Sequence, residues 1–285
     1  MSNAGAHSAT LARPVVLTAA AYAGSDPAPR YSIGTLVTSA EQYDAMRDSF
    51  TARGFDSGTC EFLYLDNRGP NQAGAYRGLN ALLHAARGDY VILCHQDVRL
   101  LSDDIDTLDL RLTELSERDD DWALAGNAGG LAPGVLAHRI SDPHGADRNS
   151  GNLPQRVMSL DENFIVVKRS ARVGCSVNLE GFHFYGPDLC LNADMAGHSA
   201  WVIDFHLLHL SGGTKSLDFF AAEEAFRAKW SHALRPRWMQ TTCALLRLTG
   251  SGLGREAGRA AARPYAGLLR RLPGHLLGRR PTAKG

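Results

Sequence analysis

The stretch NALLHAARGDYVILCHQD, residues 80–97, decides the fold. Its first part continues a helical spacing that starts near residue 73, with Ala75, Leu79, Leu82, Leu83 and Ala86 repeating at intervals of three and four. Gly88 stands where a helix C-cap is expected. Tyr90 to Cys94 is then a short apolar run of strand length, and it reads as a buried strand. His95 and Asp97 close that strand. Side chains two residues apart on a strand share a face, so a nitrogen donor and an oxygen donor converge at its carboxyl end. In an open α/β sheet, ligands bind outside the carboxyl ends of the strands.

The same alternation extends in both directions. Tyr31–Thr38 and Cys60–Leu65 read as strands. A helix over 41–53 lies between them, started by Ser39, and the turn 66–70 (Asp, Asn, Arg, Gly, Pro) stops the second strand. Beyond the tripeptide, a helix is predicted over 105–118 and a strand over 122–125. Strand, helix, strand, helix, strand, helix, strand is the signature of a right-handed, mainly parallel α/β sheet. Residues 133–155, rich in Pro, Gly, Asp, Asn and His, read as a mobile loop or short hairpin. Further on, strands are expected at 164–167 and 201–205, a helix over 187–196, a loop over 206–213 and an amphipathic helix over 217–230. A helix from 237 through 248 is also expected, followed by a tail with no clear core face.

Composition narrows the class. The chain has 285 residues, 44% of them hydrophobic, enough for a large core and too apolar for a disordered polymer. Residues 249–285 hold eight Lys/Arg and one Glu, whereas 1–248 hold 22 basic and 29 acidic residues, so a mildly acidic body ends in a basic tail. Five scattered cysteines form no Cys-x-x-Cys pair, which speaks against a zinc ribbon or a disulfide framework and fits a cytoplasmic protein. No apolar run is long enough to span a membrane, and the first thirty residues read as a loose leader. The sequence lacks a Gly-Lys-Ser/Thr phosphate loop, a Gly-x-Ser-x-Gly elbow and a dinucleotide fingerprint after the first strand. This argues against nucleotide hydrolysis, α/β-hydrolase chemistry and dehydrogenation.

Several candidate residues have bland alternatives. His95 and Asp97 can hold a divalent ion on a diphosphate, or simply end a strand in a turn. Asp66 and Asn67, on the rim shared by parallel strands, can contact a nucleotide or serve only as turn residues. Asp188, following Gly186 and Pro187, is placed to cap a helix or to act as a base at a pocket rim. His206 and His209 follow a strand, and one of them can complete a metal or phosphate site. The arginines of the tail can touch an anionic lipid surface or extend into solvent.

In order, these motifs resemble a family 2-type glycosyltransferase of the GT-A fold, in its bacterial glycosyltransferase-like branch, over residues 31–232. Residues 80–97 are similar to the helix that leads into a metal-binding Asp-x-Asp, with His95 in place of the first Asp. Asp66-Asn67 matches the nucleotide-contacting end of the second strand. Residues 184–191 (FYGPDLCL) resemble the segment bearing the acidic base, with Pro187 where a further acid is usual, and His209 falls where a late His completes the site. The resemblance implies an inverting transfer from a nucleotide-sugar to an acceptor hydroxyl, for glycan or polysaccharide synthesis. It further implies Thr38, Ser39, Asp66, Asn67 and Asn80 on the donor; His95, Asp97 and His209 on Mn2+ or Mg2+; and Asp188 as base. The acceptor would be a glycan or lipid-linked, with no nucleic acid involved. The protein is expected in the cytoplasm, with a peripheral contact to the inner membrane face through the basic tail. The domains expected are a leader (1–30), the transferase (31–232) and a C-terminal helix with a basic, partly disordered tail (233–285). The competing reading is a non-catalytic sugar-nucleotide or glycan-binding module on the same fold.

Overall fold

The computed structural model describes residues 28–70, 72–213, 216–240 and 244–271. The leader up to residue 27 and the tail beyond 271 lie outside the described residues. The chain divides into two compact units, Met1–Thr214 and Lys215–Gly285.

The first unit is built on a seven-stranded sheet. Its strands are β1 (Tyr31–Val37), β2 (Cys60–Asp66), β3 (Tyr90–Cys94), β5 (Trp122–Gly126), β9 (Gln155–Val157), β11 (Phe164–Lys168) and β12 (Ser199–Val202), in the order β2-β1-β3-β11-β5-β12-β9. Pairings β1–β2, β1–β3 and β5–β12 are parallel. Strand β11 runs against both β3 and β5, and β9 runs against β12. Most strands therefore point one way, with β11 reversed in the middle. This is the α/β class, mainly parallel and flanked by helices, expected from the sequence.

Helices α1 (Ala40–Thr51), α2 (Ala75–Ala85), α3 (Ile105–Arg118) and α4 (Tyr185–Met195) connect and cover the strands. Ser39 caps α1, its hydroxyl accepting from Gln42 N at 3.3 Å, and Asp104 caps α3, accepting from Thr107 N at 2.9 Å. Strand β1 alternates between two cores. Tyr31, Ile33 and Val37 join Met46 and Phe50 of α1 and Leu108, Leu112 and Leu115 of α3 in one buried cluster. On the other face α2 comes very close: a Cβ on Gly34 would lie 3.3 Å from Leu82 Cβ. Truncating a buried ring such as Phe50 or Trp122 to Ala would cost about 3–5 kcal/mol.

Gly88 is not the C-cap that the sequence suggested. Helix α2 ends at Ala85 with an extended Ala86 cap. A Cβ on Gly88 would stand 2.6 Å from Ser32 N, so glycine is needed there for close passage against β1.

A second, smaller sheet contains β4 (Val98–Leu100), β6 (Ala128–Ala132), β7 (Val135–Asp142), β10 (Ser159–Leu160) and β13 (Leu207–His209), with β8 (Gly145–Ser150) paired to β7. The segment 133–155 thus holds an ordered β7–β8 hairpin, and 206–213, expected to be a loop, contains strand β13.

In the second unit, helix α5 (Leu217–Leu234) extends the predicted 217–230 span. The helix expected through 248 is instead a hairpin of β14 (Arg237–Gln240) and β15 (Leu245–Leu248). Neither strand contains a β-branched residue, so the hairpin rests on the antiparallel pairing of the two runs and not on local propensity. Residues Gly252–Arg270 of the supposed tail form helix α6, with Tyr265 stacked on Trp238 at a 5.0 Å centroid distance. No helix among the described residues is long and apolar enough to cross a membrane.

Candidate active site

The register of the large sheet assembles the rim. Val37 at the end of β1 pairs with Asp66 at the end of β2. Gly34 pairs with Leu93, so carrying the same parallel register onward sets Val37 beside Gln96. Strand β11 is reversed, with Phe164 opposite Cys94, and its amino end therefore reaches the same rim. The hydrogen bond from His95 N to the Asn163 carbonyl, 3.0 Å, continues that ladder.

The small sheet delivers the remaining residue. Strand β4 leaves directly from Asp97, and β13 pairs with it antiparallel, placing His209 opposite Val98. Leu210 N donates to the Asp97 carbonyl at 3.0 Å. His209, 112 positions after Asp97 in the sequence, thereby meets the tripeptide. Ligand atoms of His95, Asp97 and His209 all lie within 4.8 Å of one another.

Their hydrogen bonding suits a cation. His95 Nε2 is 2.5 Å from the Tyr185 hydroxyl, and that hydroxyl donates to the Glu162 carbonyl at 3.0 Å. With its proton committed to a carbonyl, the Tyr185 oxygen accepts from His95 Nε2–H. This tautomer leaves the lone pair on Nδ1, which faces Asp97 Oδ1 at 3.9 Å. His209 Nε2 is buried without a hydrogen-bond partner and lies 3.4 Å from the same Oδ1, near enough for attraction although no hydrogen bond forms. Burial, reinforced by His209, holds the His95 pKa below the usual histidine range. Burial would raise that of Asp97, but His209 and His95 more than offset it, so the carboxyl stays below the ordinary range. Burial would lower that of His209, yet Asp97 outweighs it and leaves the imidazole above its usual value. Two imidazoles and one carboxylate fit a borderline divalent ion better than Mg2+, which prefers oxygen ligands.

Beside this cluster opens a cleft of about 260 Å3, whose lining includes Thr38, His95, Gln96, Asp97, Glu162 and Tyr185. Gln96 organises its floor. Its Oε1 accepts from the backbone N–H groups of Thr38 and Ser39, both at 2.9 Å, and its Nε2 donates to Thr38 Oγ1 at 2.7 Å. Thr38 and Ser39 are therefore on the rim, as the sequence implied, with Ser39 also capping α1.

The other expected residues lie elsewhere or are engaged. Asp66 is on the rim but exposed, and its carboxylate is held in an Asx turn and a two-point ion pair by Arg68. That pairing draws its pKa down to about 2. Asn67 is fully buried and clamps the following loop, donating to the Ala73 carbonyl at 2.9 Å and accepting from Ala73 N at 3.0 Å. Asn80 ties α2 to Cys175 by two hydrogen bonds, 2.9 and 2.8 Å, and lines a different cavity of about 560 Å3. Asp188 has no solvent exposure. Its Oδ2 accepts from Ser176 N at 2.7 Å and Asn192 Nδ2 at 3.1 Å, and its Oδ1 accepts from the Ser176 hydroxyl at 2.7 Å. The structure thus gives Asp188 the anchoring role and does not bring it into the cleft. The segments 127–130 and 133–155, candidates from the sequence to border an acceptor or gate the site, contribute no residue to the lining of this cleft.

Three cleft residues escaped the sequence reading. Gln96 stood between the two residues that drew notice, and Tyr185 lay just before the helix expected over 187–196, in a segment noticed only for Asp188. Glu162 precedes an apolar run, where an acid looks like a turn residue; only the reversed direction of β11 puts it on the rim.

The fold and site define a mainly parallel α/β domain with a candidate cation centre at the carboxyl rim. No protein-family model matches the chain. The chain belongs to the family of a protein of Fuscovulum blasticum described as "ATP synthase subunits region ORF 6", with 38% identity over 206 residues, 70% of this chain and 83% of that protein. Among solved structures it is similar to the mannosyltransferase PcManGT from Pyrobaculum calidifontis, in complex with GDP-Man and Mn2+. The TM-score is 0.49 with 12% identity, covering 72% of this chain and 65% of that one.

Proposed function

We propose that this protein is a glycosyltransferase that moves a sugar from a nucleotide-sugar to an acceptor hydroxyl with inversion, in glycan or polysaccharide synthesis. The observation that carries the reading is the convergence of His95, Asp97 and His209 at the sheet rim, with His209 Nε2 buried 3.4 Å from Asp97 Oδ1. The order of sequence motifs supports it independently.

In this reading His95 Nδ1, Asp97 and His209 Nε2 hold a divalent cation, Mn2+ in preference to Mg2+. Such an ion supplies Lewis acidity to a diphosphate leaving group. Tyr185 fixes the tautomer that keeps His95 Nδ1 free to ligate. Gln96 joins the ends of β1 and β3, giving the donor a preorganised floor at Thr38 and Ser39. The apolar wall of Leu36, Leu79 and Leu93 excludes water from one side of the cleft. Asp66, on the same rim, faces the nucleotide as a carboxylate already paired with Arg68. The acceptor is a glycan or a lipid-linked one. A peripheral contact with the inner membrane face belongs to this proposal, through the basic C-terminal region.

A calorimetric and hydrolysis screen across common nucleotide-sugars, with Mn2+ and with Mg2+, tests the reading. Donor binding that needs Mn2+ and is abolished in Asp97→Ala is the expected result. Metal-independent binding, or none with any donor, would overturn it.

A further inference from the structure

We propose that Glu162 is the base that takes the acceptor's proton, the role the sequence motif had given to Asp188; the inference rests on the glycosyl-transfer reading above. The first ground is access. Asp188 is sealed, with both carboxylate oxygens engaged by Ser176 and Asn192, whereas Glu162 lines the cleft that also holds His95 and Asp97.

The second ground is how Glu162 is held. Helix α4 begins at Phe184, a left-handed residue with φ 66° that offers no side-chain cap. Glu162 supplies the missing acceptor from another part of the chain, its Oε1 receiving the Gly186 N–H at 3.3 Å. Gly186 is required for that approach, because a Cβ there would fall 3.2 Å from Glu162 Cγ and 2.4 Å from the Leu160 carbonyl oxygen. The Glu162 backbone is fixed too, its carbonyl accepting from Tyr185, the residue that orients His95. One oxygen is thus anchored at a helix N-terminus. A single tyrosine thus links the His95 imidazole to the Glu162 backbone on the same rim.

The third ground is basicity. Burial raises the Glu162 pKa to about 8, against the lowering effect of the helix N–H groups, so the carboxylate is a stronger base than an exposed one. In the step itself, the acceptor oxygen forms a bond to the anomeric carbon as the bond from that carbon to the diphosphate oxygen breaks. The bonding pair leaves with the nucleoside diphosphate. The hydroxyl proton passes to the Glu162 carboxylate and from there to solvent.

The test uses the full chain with Mn2+ and the donor found in the binding screen, measuring nucleoside diphosphate release with water or a screened sugar as acceptor. Glu162→Gln keeps shape and removes the base; its kcat should fall by about 10²–10⁴ with the donor dissociation constant within a few-fold of wild type. Glu162→Asp, which retains a carboxylate one methylene short, should recover part of the loss. In Glu162→Ala, added formate or azide should restore turnover, which a purely structural role would not allow. Melting curves confirm that each variant is folded. A Glu162→Gln variant that is folded and turns over at the wild-type rate overturns the assignment alone. A wild-type chain that binds no nucleotide-sugar overturns the assignment together with the reading beneath it.

Discussion

Replacing Glu162 by Gln should change stability in a way that depends on pH, and the sign follows from the site. In the folded protein burial lifts the carboxyl from an ordinary 4.5 to about 8. The unfolded chain releases this proton near 4.5, so between the two values the folded state binds more protons than the unfolded one. Stability contributed by this group is fully present below about pH 4.5 and is lost as pH rises through about 8. At 1.36 kcal/mol for each tenfold difference in proton affinity, the upper bound of the loss is about 5 kcal/mol. Relaxation and water entry at a partly open rim reduce this to ~2 kcal/mol. The amide introduced by Glu162→Gln cannot ionise and escapes the loss. Urea unfolding of wild type and Glu162→Gln at pH 5, 7 and 9 should therefore give similar midpoints at pH 5. By pH 9 the variant should lead by about 2 kcal/mol, or roughly 4–8 °C in melting temperature for a domain of this size. An equal gap at pH 5 and pH 9 would refute the reasoning, because it would mean that Glu162 titrates alike in both states.

Other perturbations address the cation centre and the anchors. Tyr185→Phe removes the hydroxyl that fixes the His95 tautomer and should weaken Mn2+ binding about 10–100-fold by titration calorimetry; an unchanged affinity would show that the tautomer is set otherwise. His209→Ala should abolish Mn2+ binding while leaving the fold intact, because one of the three ligand side chains is lost and the backbone pairing of β13 with β4 is kept; Mn2+ electron paramagnetic resonance reads the result. Asp188→Asn leaves one acceptor oxygen where the carboxylate had two and removes the charge that Ser176 and Asn192 bind, and should lower stability by about 1–3 kcal/mol in urea melts. Its kcat per folded molecule should stay within a few-fold of wild type; a fall of about 10²-fold without a stability change would return the base to Asp188.

Much of the architecture is legible locally. The apolar run 90–94, short and flanked by Gly88, reads as a buried strand and is one, and the helical spacing of 73–87 and 105–118 shows which faces are covered. Those patterns are visible because burial imposes a period of two or 3.6 on a contiguous segment. The hairpin of β14 and β15, read as helix, shows the limit: two short apolar runs favour whichever partner they find. The same limit governed strand β13, which is three residues long and is stabilised by pairing with β4 and β7 rather than by any pattern of its own.

Alternation along a strand is a property of the chain, and it is enough to put His95 and Asp97 on one face of a strand end. Parallel strands carry their carboxyl ends to one edge, which likewise brings Thr38, Ser39 and Asp66 to a common rim. Which distant groups join them depends on long-range pairing. His209 arrives through antiparallel pairing in a second sheet, and Glu162 through the reversal of β11. Asp188 is turned inward by the Ser176 loop that needs its carboxylate. Strand direction and side-chain engagement are set by long-range pairing energies that leave no periodic trace. A carboxylate that anchors a loop and one that opens on a cleft therefore look alike until the chain is folded.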